Sequence, residues 1–154
     1  MINETANNNS YLSFRLGKEI FATNVSCTLK ILQMSDITKV PGSPANMEGV
    51  INHHGNVLPV VDLNHTLGLP RTEHTKSTCI IVLSIGKNDD LFNIGVIVDE
   101  VLNVENINFE QIKDPPSLGS KNSLDNVSGV YKNGETFIMI LNINNIFNEI
   151  NLEK

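Results

Sequence analysis

The stretch Gly49-Val50-Ile51-Asn52-His53-His54-Gly55-Asn56-Val57-Leu58-Pro59-Val60-Val61-Asp62-Leu63 decides how this chain is read. Two short apolar runs, Gly49 to Asn52 and Val57 to Val61, are held apart by the polar segment His53 to Asn56, the pattern of two strands joined by a tight connection. Gly55 is the natural hinge, because glycine takes a positive φ without steric cost, and Asn56 beside it tolerates left-handed geometry. Pro59 cannot donate to a sheet ladder, so the second strand is expected at an edge or at a bulge. Around Pro59 both alternating faces are apolar, Val57 and Val61 on one side and Leu58 and Val60 on the other. A strand covered on both faces lies between two packed layers, which makes this stretch the expected seam of the fold.

Working outward, the 154 residues suit one domain or two small subdomains that share a core, burying roughly 68–70% of the unfolded surface. A net charge of −6 with 11 Lys plus Arg leaves no basic footprint for a phosphate backbone, and aromatic residues for base stacking are scarce, so nucleic acid is not an expected partner. Apolar runs such as Cys79 to Leu83 and Phe137 to Leu141 fall far short of the roughly 20 residues that span a bilayer, and direct membrane insertion is not expected. Met1 to Asn9 has neither a cationic nor an apolar region of a secretory signal, which points to the cytoplasm. Cys27 and Cys79, in apolar surroundings and without metal spacing, read as buried free thiols.

Residues 1–10 form a polar tail, and the folded region is expected over 11–150. Tyr11 to Leu16 alternates strictly with Leu12, Phe14 and Leu16 inward, and Gly17-Lys18 turns it into Glu19 to Ala22. Asn24 caps an expected short helix with Val25, Leu29 and Leu32 on one side, running into a strand at Ile37 to Val40. Asp62 is placed to cap a turn of helix over Asn64 to Leu67, with Gly68 as the stop. The polar connection 69–77 is expected on the surface, as an apparent division between subdomains. Thr78 to Ile85 and Leu91 to Val98 form a further hairpin whose Gly-Lys turn parallels the first, a weak internal repeat. Asp99 to Asn106 continues as strand, and 112–122 is the least structured interior segment. Asn133-Gly134 between Val127 to Tyr131 and Thr136 to Leu141 is a strong hairpin signal. A C-terminal helix through Ile143, Ile146, Phe147 and Ile150 follows Asn142 as cap. Many short strands, tight turns and brief helices describe a mainly β protein of two small barrels.

The sequence carries little that points to catalysis. His53 and His54, adjacent on an extended segment, should point to opposite sides and so cannot share a metal, and neither His65 nor His74 adds ligand spacing. Asp99 and Glu100 should likewise diverge, which suits edge-strand solubility better than paired carboxylate catalysis. Cys27 has no base beside it in sequence. No catalytic residue, metal or cofactor is expected.

Several blocks taken together resemble the CheW-like chemotaxis coupling proteins. These are Val40-Pro41-Gly42-Ser43-Pro44-Ala45, Gly49 to Asn52, Gly55 and Leu58-Pro59-Val60-Val61-Asp62-Leu63, with Tyr11 to Gly17, Gly95 to Val101, Glu110-Gln111-Ile112 and Ile138 to Ile143 in order around them. The resemblance implies two five-stranded SH3-like barrels around a shared hydrophobic core. It also implies a non-catalytic scaffold joining the regulatory domain of the histidine kinase CheA to the cytoplasmic tips of chemoreceptors. Weak self-association through the barrel ends is compatible with it. By gapless matching the receptor groove falls near Thr28, Lys30, Gly49, Asn52, His54 and Gly55. Here the chain departs from the family, which usually has an arginine at the position of His54 and commonly a glutamate at that of Lys30. An imidazole cannot reproduce the fork of an arginine, and Lys30 beside His54 should keep that ring neutral. The departure implies a divergent coupling protein for an atypical receptor or kinase array. A small metal-binding β-barrel protein is the other alternative.

Overall fold

A computed structural model describes residues 9–43, 47–87, 90–114 and 126–148. Its strands are β1 (Ser10–Leu16), β2 (Glu19–Asn24), β3 (Thr28–Gln33), β4 (Met47–His53), β5 (Asn56–Asp62), β6 (Cys79–Lys87), β7 (Asp90–Val98), β8 (Glu100–Asn106), β9 (Val127–Asn133) and β10 (Thr136–Leu141). Two short helices, α1 (Leu63–Thr66) and α2 (Ile143–Asn148), and 3-10 turns at Val25–Cys27 and Phe109–Gln111 complete the described elements. The strands form two five-stranded sheets, ordered β8-β1-β2-β10-β9 and β3-β6-β7-β5-β4.

The two sheets are built on one plan. Read in these orders, each runs antiparallel, antiparallel, parallel, antiparallel, with β2–β10 and β5–β7 as the parallel pairs. The hairpins β1–β2 and β6–β7 hold equivalent places, as do β9–β10 and β4–β5, but Gly17-Lys18 form the first turn whereas Gly86-Lys87 are paired within β6, so the expected Gly-Lys turn is not repeated. Each sheet is also closed in the same way. The segment after β3 reaches across to the free edge of β4 through a Thr38–Val50 bridge, and the segment after β8 reaches β9 through Lys113–Val130. A glycine precedes each bridging valine because the crossing chain lies on it. A Cβ on Gly49, whose φ is +152°, would stand 2.4 Å from the Thr38 carbonyl oxygen, and one on Gly129 would stand 2.2 Å from Ile112 Cγ2.

Three apolar layers result. Leu12, Phe14, Leu16 and Phe21 from the first sheet meet Val61, Ile81, Leu83 and Val96 from the second in a shared core that α2 covers with Ile146 and Phe147. Ile51, Leu58, Val60, Ile80 and Val82 fill the second barrel, and Ala22, Ile107, Ile138 and Ile140 fill the first. The two-residue period of a strand does this sorting, so that Ile80 and Val82 face one layer while Ile81 and Leu83 face the other. β5 is the expected seam, with Val61 in the shared core and Leu58 and Val60 in the barrel, whereas Val57 is 72% exposed beside the turn. Phe14 faces Phe21 across β1–β2 with ring centroids 6.4 Å apart.

The structure differs from the local sequence patterns in several places. The helix expected after Asn24 is a single 3-10 turn, capped by the Asn24 side chain accepting from the Ser26 amide, and strand begins at Thr28, where the β-branched Thr28 and Ile31 prevail. Ile37 to Val40 is reduced to the Thr38 bridge. Pro59 lies in an interior strand. Both backbone groups of Val50 turn outward to Thr38, so the Val50–Pro59 pair carries no ladder bonds and the proline nitrogen faces β7, whose match with β5 starts only at Val60. The bulge sits in the partner strand, where Glu48 is extra between Met47 and Gly49. The β9–β10 turn is Gly134-Glu135, since Asn133 already pairs with Thr136.

Asp62 caps α1 as expected, accepting from the Asn64 amide at 3.0 Å, and Asn142 caps α2 through the Asn145 amide at 3.2 Å. The connection 69–77 joins β5 to β6 within one sheet, and the chain changes sheets at Val25–Cys27 and at Asp99. Ile150, most of 112–122 and the tail through residue 8 lie outside the described residues.

Candidate partner-binding site

The β4–β5 hairpin ends in a two-residue turn. His53 pairs with Asn56, leaving His54 and Gly55 with φ of +55° and +83°, as in a type I′ turn. Left-handed backbone at Gly55 is free of strain, whereas at His54 it costs roughly 1–2 kcal/mol. Among the described residues His54 is the one non-glycine position with positive φ, a geometry the sequence reading had assigned to Asn56 instead. The Asn52 side chain braces the turn by accepting from the Gly55 amide at 2.9 Å.

The same backbone geometry overturns the expectation that the two imidazoles diverge. Alternation holds for successive extended residues, and His54 is not extended. Its side chain folds back, and the rings of His53 and His54 lie with centroids 4.2 Å apart, tilted by 54°.

Lys30 joins them from β3. β3 and β4 stand at opposite ends of the sheet order, and the charge of Lys30 is nevertheless felt at His53. Partial burial first, then the neighbouring His54, then Lys30 hold the His53 ring below the usual imidazole range. The group for which the structure resolves a Lys30 effect is therefore His53, where the sequence reading looked to His54.

Of the residues expected in the groove, Lys30, Asn52, His54 and Gly55 are exposed around this tip, and Thr28 is half-buried with its hydroxyl donating to the Asn24 carbonyl at 3.3 Å. Gly49 is buried beneath Thr38, where it allows the crossing segment to close in. His65 and His74 are exposed elsewhere, and among the described residues no three His, Cys, Asp or Glu side chains gather as a metal would require. Burial pushes the Cys27 and Cys79 thiols up, so both stay protonated near neutral pH.

Two features escaped the sequence reading. Asp99 is a tie between the sheets. Its carboxylate accepts from the Gly17 amide at 2.6 Å, the Thr72 hydroxyl at 2.6 Å and the Asn64 amide group at 3.3 Å. Glu100 turns outward to pair with Arg15, so the two carboxylates diverge as expected while Asp99 has a structural task in place of a solubilising one. Nearby, Arg71 donates to Glu48 at 2.5 Å and to Asp62 at 3.3 Å. The partners of Asp99 are 82, 27 and 35 residues away in sequence, beyond any local pattern. The second feature is a groove of about 860 Å³ on the first sheet, lined by Glu110, Lys113, Val130, Tyr131, Phe137 and Met139, with Phe137 56% exposed. An alternating strand with an apolar outer position was the available signal for it.

The family model described as CheW-like domain matches residues 10–151. The chain belongs to this CheW-like family. The chemotaxis protein CheW of Thermotoga maritima is 32% identical over 143 residues, covering 93% of this chain and 90% of that protein. That of Bacillus subtilis is 30% identical over 133 residues, covering 86% and 82%. The crystal structure of the scaffolding protein TtCheW from Thermoanaerobacter tengcongensis superposes with a TM-score of 0.80 at 27% identity, covering 91% of this chain and 88% of that one. The twin-sheet plan with a shared core is thus that of a CheW-like domain. Among the described residues no helix is long and apolar enough to cross a membrane.

Proposed function

We propose that this protein is a non-catalytic adaptor of bacterial chemotaxis-type signalling that holds a chemoreceptor tip and the regulatory domain of the histidine kinase CheA in one complex. The observation that carries this reading is the CheW-like match over residues 10–151. Relatives named chemotaxis protein CheW, of nearly the same length, support it. An adaptor needs separate contact surfaces with apolar patches and polar rims more than it needs a reactive centre. The hairpin tip and the Phe137 groove, on different sheets, offer two such surfaces.

The receptor is assigned to the tip, through Thr28, Lys30, Asn52, His54 and Gly55 with Gly49 supporting them from beneath. The kinase is assigned to the barrel ends. Such a complex recruits a cytoplasmic protein to a membrane receptor array without inserting it in the bilayer. The pairing of Lys30 with two histidines favours a receptor whose tip differs from that met by an arginine and a glutamate. Co-purification with a receptor tip fragment and with the kinase regulatory domain is the test. Complexes are expected at protein concentrations on the order of tens of micromolar, and failure of both to form would sink the adaptor function.

A further inference from the structure

The hairpin tip is a cationic spot on an acidic chain. The net charge is −6, yet Lys30 is exposed and, among the described residues, makes no ion pair. The titratable groups acting on His53 are His54 within the turn and Lys30 on β3, and no described carboxylate is among them. The left-handed backbone of His54 keeps its ring against that of His53. Two imidazoles are thereby held together at the hairpin tip, within the electrostatic reach of a lysine that makes no ion pair among the described residues.

We propose that Lys30, His53 and His54 form a proton-dependent receiver for a carboxylate carried by the docked protein partner; this rests on the adaptor reading above. In the free protein the positive charge of Lys30 and the proximity of the two rings oppose protonation of His53. A carboxylate arriving within a few ångströms reverses that balance, because each added proton then meets an opposite charge. Linkage fixes the sign. If the partner makes the rings bind protons more tightly, protons make the protein bind the partner more tightly, and binding strengthens as pH falls through the imidazole range. An arginine at the tip would hold the same carboxylate with no such dependence, since it stays charged throughout.

Calorimetry with the full chain and a helical receptor tip fragment from the same bacterium, at about pH 8 and about pH 6, tests this. Each unit by which the partner raises the ring's proton affinity gives up to about tenfold tighter binding at the acid end. Proton uptake should appear when buffers of different ionisation enthalpy are compared. The double variant His53→Gln, His54→Gln should flatten the pH dependence, and so should changing the acidic residues of the fragment, one at a time, to their amides until the contacting one is met. Equal or weaker binding at the acid end overturns the receiver and leaves the adaptor reading standing. Absence of binding at both pH values sinks the receptor half of the adaptor reading and the receiver with it. A separate NMR titration needs no partner. The His53 ring should titrate higher in Lys30→Gln than in the unaltered protein, and an unmoved titration removes Lys30 from the receiver and overturns the proposal.

Discussion

The β9–β10 and β4–β5 hairpins occupy equivalent places in the two sheets, yet their turns solve the same reversal differently. In β9–β10 the positive φ falls on Gly134, at +67°, and Glu135 keeps an ordinary backbone, as in a type II′ turn. The β1–β2 turn repeats this with Gly17 at +63°. Only the β4–β5 turn, among those described, places a side-chain-bearing residue, His54, in the left-handed region. A fold that twice uses glycine for this task could have used it a third time at no conformational cost. The backbone thus carries strain at the one described turn whose side chain lies in the candidate partner site. The turns also differ in support. Gly17 is anchored by the distant Asp99, whereas the His54 turn is braced by its own Asn52.

The contrast can be broken at several points. Removing the anchor with Asp99→Ala should have the largest effect, a loss of about 2–3 kcal/mol in urea unfolding, because the Gly17, Thr72 and Asn64 donors lose a charged acceptor together. Gly134→Val forces a β-branched residue into left-handed backbone and should cost about 1–3 kcal/mol by the same measurement. His54→Gly runs the opposite way. It should raise stability by up to about 1 kcal/mol while weakening receptor-tip binding, and a loss of stability without loss of binding would show that the strain serves the fold. The smallest effect is a dependence on pH. The His53 ring is held below its usual range, so its favourable contribution is present above that range and is lost as the pH falls through the folded-state value. Lys30→Gln should raise the folded-state value and so shrink that loss, as followed by thermal unfolding across the imidazole range.

What could be read in advance followed from local chemistry. Gly17, Gly55 and Gly134 announce three hairpins, and the alternation of Leu12, Phe14 and Leu16 announces the inward face of β1. The doubly apolar run through Val61 places β5 between two layers because a strand's two faces are written in successive residues. Readings failed where a distant segment decides the outcome. Thr28 to Gln33 follows a helix-like spacing but becomes strand because β6 is there to pair with it. Pro59 is tolerated in an interior strand because the match with β7 stops one residue short of it. The convergence of His53 and His54 was hidden because alternation assumes extended backbone, and the turn places His54 outside that assumption. The candidate groove was located by likeness of motif, while the effect of Lys30 on His53 joins two strands at opposite ends of a sheet.

The parallel pair β2–β10 orders events during synthesis. Every strand of the second sheet lies within 28–98, so that sheet is complete as soon as Val98 has emerged, apart from its shared layer. The first sheet begins earlier and closes later. Ile20 to Ala22 must wait for Ile138 to Ile140 before that edge of β2 is covered. Until then β2 keeps an open edge, a feature prone to pairing with other chains. Folding of the first sheet is therefore limited by the arrival of the last strand, and a nascent chain stalled before Leu141 would hold a finished barrel joined to an adhesive hairpin.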